Sequence, residues 1–307
     1  MRRLFRAAAV LALALALPSA PLAHARRDSQ VLVLGRISDD PKAHYEQLKP
    51  LLDYVVPRMA SVGIREGRIL MARDPQQMAS YMRRGEVDWV TETAASGTIL
   101  EQRAGAAPLL LTERDGVSVY RTVMFARRDS GIASLDDLRG RSVAFQNPSS
   151  TSAYFVPAMA VLGRKLPLTV LLSPMDRPGP NGVGYLFARS ELNIGAWVHK
   201  RLVDVGAMSD VDWNNPARMP PAYRRDLAVI HTSEPYPRAL EMIRGDLPPA
   251  VRERLREVLL QAANDPEGRG ALRHFFGTTR FAPVDADAAE SLARLRQGVR
   301  RVREEVE

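Results

Sequence analysis

Ser142-Val143-Ala144-Phe145-Gln146-Asn147-Pro148-Ser149-Ser150-Thr151-Ser152-Ala153-Tyr154 places a short apolar run, a Pro turn and four consecutive hydroxyl residues in a row. The apolar run reads as a buried strand, and Thr151 to Leu162 as a helix. The hydroxyls therefore stand at the first turn of a helix that comes directly after a strand. Free backbone N–H groups and the positive end of the helix dipole favour an anion there, and hydroxyls add directional donors. An ordinary N-cap needs one hydroxyl rather than four. Two readings stay open at this point, a cap and an anion site, and the carboxyl end of a strand in an α/β unit is where ligands gather.

Outward from this segment the same rhythm repeats. Upstream, Val31 to Gly35, Arg68 to Ala72 and Val87 to Val90 read as strands. They alternate with helical patterns over Tyr45 to Met59, where Pro50 and Pro57 predict a kink or an early end, over Asp74 to Gly85, and over Ala94 to Arg103. This spacing implies right-handed βαβ units and a mainly parallel sheet. Val117 to Arg127 is extended over more residues than one small sheet needs. Beyond it come a helical stretch at Ser134 to Leu138 and strands at Leu168 to Leu172, Val203 to Ala207 and Leu227 to His231. A Pro/Gly-rich loop spans Ser173 to Gly184, and helices are expected at Glu191 to Arg201, Pro249 to Ala263 and Ala286 to Val302. The expected architecture is α/β, with two lobes joined by two extended hinge crossings. Residues 26–116 form the first part of lobe one, 117–224 form lobe two with a hinge strand, and 225–307 return to lobe one.

Arg2, Arg3 and Arg6, the apolar run Ala7 to Leu17 and Ala23-His24-Ala25 form a secretory signal with an A-x-A cleavage site. Cleavage after Ala25 leaves 282 residues and lowers the formal charge from +8 to +5, because three Arg and no acid depart. The exported chain is expected in the periplasm as a monomer. A charge of +5 spread along the chain is no nucleic-acid footprint. The absence of Cys excludes a thiol nucleophile, a cysteine metal site and a lipoprotein anchor. The His residues lack metal-ligand spacing, and there is no G-x-S-x-G elbow, Walker loop or H-E-x-x-H. No cofactor and no catalytic activity are expected. Trp89, Trp197 and Trp213 are assigned to packing.

Asp129-Ser130-Gly131-Ile132, Leu135-Asp136-Asp137-Leu138-Arg139-Gly140, Val143-Ala144-Phe145 and Pro148-x-Ser150-Thr151-Ser152-x-Tyr154-x-x-Pro157 succeed one another in order. With Gly85-Glu86-Val87-Asp88, Tyr120, Asn193, Val203-Asp204-Val205 and the Ser233 to Pro237 turn, they carry a resemblance over nearly all the mature chain. The sequence resembles the periplasmic phosphonate/phosphite/phosphate-binding proteins of ABC importers. The resemblance implies a type II periplasmic-binding-protein (Venus-flytrap) fold, a small oxyanion trapped between the lobes, and delivery to an ABC permease in the inner membrane. It implies Ser150, Thr151 and Ser152 as oxyanion donors and Tyr120 as a phenol donor from the hinge, and it places no Arg or Lys in the site.

Departures from the family pattern are also legible. Ala153 stands where Gly is common, Pro75 where a first-lobe Tyr is common, and Ser190 where a His precedes Glu191. The family's amine-holding carboxylates fall near Val211 and Ala239, with Asp210 one residue away from the first. Aminoethylphosphonate is therefore not the expected ligand. Glu92 and Thr93 end the third strand and would face the cleft. Thr93 can donate to an oxyanion, whereas Glu92 suits only a ligand with P–OH or an amine unless it points into its own lobe. Ser190, Glu191 and Asp210 are read both as ligand contacts and as helix caps. The leading functional reading is a solute-binding protein for a phosphorus oxyanion. The alternatives are a sensory binding protein feeding a membrane receptor or kinase, and an enzyme on the same scaffold.

Overall fold

Val31–Ile37 buries its first five residues, as a strand covered by helices on both faces must. The computed structural model describes residues 30–307, so the signal segment and its cleavage site lie outside the described residues. In the first six-stranded sheet the order is Thr278–Ala282, Ala107–Arg114, Ala239–Ile243, Trp89–Glu92, Val31–Ile37, Glu66–Ala72. The opening strand pairs in parallel with Glu66–Ala72 and Trp89–Glu92. Ala239–Ile243 runs antiparallel to both its neighbours, so Ile37, Glu92 and Arg114 all emerge at one edge.

Three of these strands, Ala107–Arg114, Ala239–Ile243 and Thr278–Ala282, have no counterpart among the strands expected from sequence. The helix Pro41–Arg58 starts four residues earlier than expected, with Asp40 accepting from the Ala43 N–H at 3.1 Å, and runs through Pro50 and Pro57 unbroken. Burial of Leu48, Leu51, Leu52, Tyr54 and Val55 at roughly 1.5–3 kcal/mol per large apolar side chain offsets the backbone bonds that the prolines remove.

The second sheet has the order Leu227–Thr232, Thr122–Arg127, Val205–Ser209, Ser142–Phe145, Val183–Phe187, Leu168–Val170. The run from Val117 divides into Val119–Tyr120 and Thr122–Arg127. Val119–Tyr120 pairs antiparallel with Tyr236–Pro237, Tyr120 opposite Tyr236, and this small ribbon is the double crossing between the lobes. The expected return to the first lobe at 225 is not where it occurs. Leu227–Thr232 instead pairs with Thr122–Arg127, so the second lobe extends to Ser233, whose N–H donates to the Thr122 carbonyl at 2.9 Å. Pairing the two crossing strands gives both an edge partner that a separate return would leave open.

The last helix, Ala286–Glu305, does not belong to the first lobe alone. It buries Leu292, Leu295, Val299 and Val302 and packs on both Ala94–Ala104 of the first lobe and Val156–Gly163 of the second. Arg296 forks onto Glu101 at 2.8 Å on one side, and Arg301 donates to the Leu162 carbonyl at 3.1 Å on the other. Trp89 lies in the first-lobe core, and Trp213 in the second, with Trp197 packed beside it. Among the described residues no helix is long and apolar enough to cross a membrane, and no group of three or more His, Asp and Glu is placed to hold a metal.

Candidate functional site

The carboxyl edges of the two sheets face each other across a cavity of about 500 Å³. Its second-lobe wall is built from the hydroxyl-rich segment after Phe145. Asn147 Oδ1 accepts from the Ser149 N–H at 2.9 Å and shapes the turn. Ser150 Oγ accepts from the Ala153 N–H at 3.1 Å and caps the next turn. That turn is not the regular helix expected: Thr151–Phe155 forms one wide turn in which the Phe155 N–H reaches the Ser150 carbonyl, and α-helix begins at Val156. Pro157 has no N–H to give. The carbonyls of Ser152 and Ala153 accept instead from Thr122 Oγ1 at 2.9 Å and the Gln146 N–H at 3.0 Å. Ala153 takes φ −114° there, which needs no glycine.

Thr151 is 1% exposed. Its hydroxyl accepts from the Ala95 N–H at 2.9 Å and donates to Thr93 Oγ1 at 3.0 Å. Both partners belong to the first lobe, at the head of Ala94–Ala104, so Thr151 closes the cleft from side to side. Ser96 Oγ adds a weaker reach to the Ser149 carbonyl at 3.4 Å. Ser152 and the Tyr120 phenol line the cavity together. Tyr120 packs edge-on against Tyr236, and burial above all pushes its pKa up to about 12, which keeps the phenol a donor at neutral pH.

Thr93, Glu92, Tyr120, Ser150, Thr151, Ser152 and Glu191 line the cavity; Ser190 and Asp210 do not. Ser190 caps the helix Glu191–His199, accepting from the Asn193 N–H at 3.2 Å. Asp210 accepts from the N–H groups of Arg121 and Val211 at 3.1 and 2.9 Å. The wall carries Ser209 and Asp212 in its place, joined at 2.5 Å, because the strand runs to Ser209 rather than ending at Ala207. Pro75, standing where the resemblance puts a phenol, opens a helix and is not part of the wall. Glu191 accepts from Gln146 Nε2 at 2.6 Å. Burial and then the neighbouring Asp212 raise its pKa, favouring the uncharged acid.

The cavity departs from the expectation of a site without cations, chiefly on its first-lobe side. Arg36, Arg73, Arg114, Arg189 and Arg238 line the cavity together with five carboxylates. Glu92 resolves its two readings by pointing into its lobe. Its carboxylate accepts from the Ile37 N–H at 2.9 Å and stands 3.4 Å from Arg36 Nη1, which also donates to the Thr91 carbonyl at 2.8 Å. Arg114, 8% exposed, reaches Thr91 Oγ1 at 3.4 Å. Burial first, and then the charge of Arg36, push its pKa down to about 10. Both guanidiniums lie against the Phe276 ring, 4.9 Å from its centroid for Arg36 and 4.7 Å for Arg114. Phe276 holds φ +54° to present that ring. Local patterns missed these arginines because they come from separate strand ends. The only trace in the sequence is a basic residue closing an apolar run, at Arg36 and again at Arg114.

A family model described as "ABC transporter, phosphonate, periplasmic substrate-binding protein" matches residues 35–289. The chain belongs to that family. It is similar to XAC2383 from Xanthomonas citri in two solved structures, one bound to chloride ion and one bound to ATP. They are 55% and 54% identical, with 90% and 91% of this chain and 99% and 100% of that one covered, and a TM-score of 0.87 for each. A binding protein component of an ABC phosphonate transporter from Pseudomonas aeruginosa shares the fold at 21% identity and a TM-score of 0.63, covering 90% of this chain and 88% of that one. The fold is that of type II periplasmic binding proteins, and the cavity occupies the cleft between the lobes of this family member.

Proposed function

We propose that the protein is the periplasmic solute-binding component of an ABC importer, and that it traps a small phosphorus oxyanion (phosphate, phosphite or a phosphonate) between its lobes. The observation that carries the reading is the cavity between the facing sheet edges, with the Ser149 to Ser152 turn and Arg189 on the second-lobe side, Arg36 and Arg114 on the first-lobe side and the Tyr120 phenol at the hinge. Turn N–H groups, hydroxyls and the phenol supply direction, and the guanidiniums supply the charge that neutral donors lack. The ligand is bound and released unchanged. The lobes close over it, and the permease reads the closed form. Residues 1–25 direct export and are removed.

A second reading, a phosphate-bearing organic ligand such as a nucleotide, is supported by the ATP in the 54% identical structure and by a cavity larger than one tetrahedral anion fills. Calorimetry against phosphate, phosphite, methylphosphonate, aminoethylphosphonate, sulfate and ATP tests both. Saturable binding of one of the first three, weakened about tenfold or more in Tyr120→Phe, is the expected result. Binding of ATP alone selects the second reading. Binding of none of the anions overturns both.

A further inference from the structure

The first-lobe wall holds two guanidiniums whose hydrogen-bonding capacity its own structure does not exhaust. Arg36 and Arg114 each keep Nε buried and without a hydrogen-bond partner among the described residues. Arg36 has Glu92 as its counter-ion. Arg238, on the same wall, spends Nη1 on the Arg114 carbonyl at 2.8 Å. Glu241, a carboxylate whose charge acts on Arg114, is fully buried and already accepts from three neutral donors: Trp89 Nε1 at 2.5 Å, Thr112 Oγ1 at 2.7 Å and Thr91 Oγ1 at 2.9 Å. Burial, the largest influence on it, shifts Glu241 toward its uncharged form. Arg114 thus lies buried with no ion-pair partner within 4 Å among the described residues, beside a carboxylate whose lone pairs are engaged elsewhere. An unbalanced buried cation is costly, and a fork of N–H donors lining a cavity is what a phosphate or carboxylate binds.

We propose that Arg36 and Arg114 form a second anion subsite, facing the Ser149 to Ser152 turn across the cavity, and that the natural ligand carries two anionic centres. One is a phosphoryl group held at the turn and Tyr120. The other is a phosphate or carboxylate held by the arginine pair over Phe276. The inference rests on the oxyanion reading above and extends it from a single tetrahedral anion to a diphosphate or a phosphonate with a second acid group. The cavity of about 500 Å³ has room for both centres.

The test is calorimetry of the mature protein with orthophosphate and pyrophosphate. Pyrophosphate is expected to bind at least about tenfold tighter than orthophosphate, the worth of one added charge-assisted contact. Arg114→Met should remove that advantage by weakening pyrophosphate at least about tenfold more than orthophosphate, whereas Tyr120→Phe should weaken both ligands by the same factor. If Arg114→Met does not fold, Arg114→Lys, which keeps the charge and loses the fork, should reduce the advantage in the same direction. Equal affinities in the wild type, or equal losses of both ligands in the Arg114 variant, overturn the second subsite while leaving the oxyanion reading intact. Failure of both anions to bind the wild type overturns the oxyanion reading and the subsite with it.

Discussion

The two walls of the cavity are built by different physical means. The hydroxyl-rich part of the second-lobe wall is one continuous turn, Asn147 to Ser152, whose donors are neutral and whose geometry is set by local hydrogen bonds at Ser149, Ser150 and Gln146, with Arg189, Glu191 and Asp212 beside it. The first-lobe wall is a set of charges delivered by separate strands: Arg36 at the end of Val31–Ile37, Glu92 at the end of Trp89–Glu92 and Arg114 at the end of Ala107–Arg114. The first kind of wall is cheap to bury and directional. The second carries the charge, and it is stable only while each buried ion keeps its partners. Thr151 crosses from one to the other through the Ala95 N–H and Thr93 Oγ1, and Ser96 adds a longer contact to the Ser149 carbonyl, so hydroxyls of the wall also join the lobes.

The sharpest way to break this contrast is to remove an acceptor from the charged lobe. Glu241→Leu leaves Trp89 Nε1, Thr91 and Thr112 without their acceptor. At about 1–3 kcal/mol for each buried unsatisfied donor, urea unfolding should show a loss of roughly 3 kcal/mol or more. A loss below about 1 kcal/mol would mean that the network is not structural. Thr151→Val keeps the shape but strands the Ala95 N–H in the closed form. It should cost about 1–3 kcal/mol of closure, read as a roughly five- to hundredfold weaker affinity with the unfolding midpoint of the unliganded protein little changed. Unchanged affinity would show that the hydroxyl is not the link between lobes. Ser190→Ala removes a helix cap outside the cavity. About 1 kcal/mol of stability should go while ligand affinity stays the same, and a loss of affinity would return Ser190 to the site.

The smallest effect concerns His44, which lines the first-lobe wall with Nδ1 2.6 Å from Ser38 Oγ. Burial, then the charge of Arg36, hold its pKa below the ordinary value of 6.5; Arg114 adds to this, while Asp39 and Asp40 pull upward. The unfolded chain therefore takes up the proton more readily than the folded one, and stability falls as pH drops through 6.5 toward the folded value. His44→Gln should flatten that part of the stability–pH curve, and an unaltered slope would show that His44 does not report on the cation-rich wall.

Legibility in the sequence divides along the same line. The strand Ser142–Phe145, the capped turn and the Asp74–Pro75 helix start are local, so residue order carries them: the turn's hydroxyls, proline and N-cap lie within thirteen residues of sequence. The same locality misleads where a neighbour in space decides. A nearby proline, Pro157, turns an expected helix start into a wide turn at Thr151–Phe155, and strand pairing keeps Leu227–Thr232 in the second lobe. Asp210 is expected at the cleft and Asp212 stands there, because a strand that runs to Ser209 moves the helix start.

By itself, then, the amino-acid order determined much of the alternation of strand and helix, the first crossing and the hydroxyl-rich turn, since each rests on periodicity, turn chemistry or capping within a few residues. Tertiary structure alone decided which charges meet. Arg36, Glu92, Arg114 and Glu241 lie far apart along the chain, and only the sheet order brings them to one edge, where burial makes each ion depend on the next. It also decided that the last helix spans both lobes, because an apolar stripe states that a face is buried and not against what.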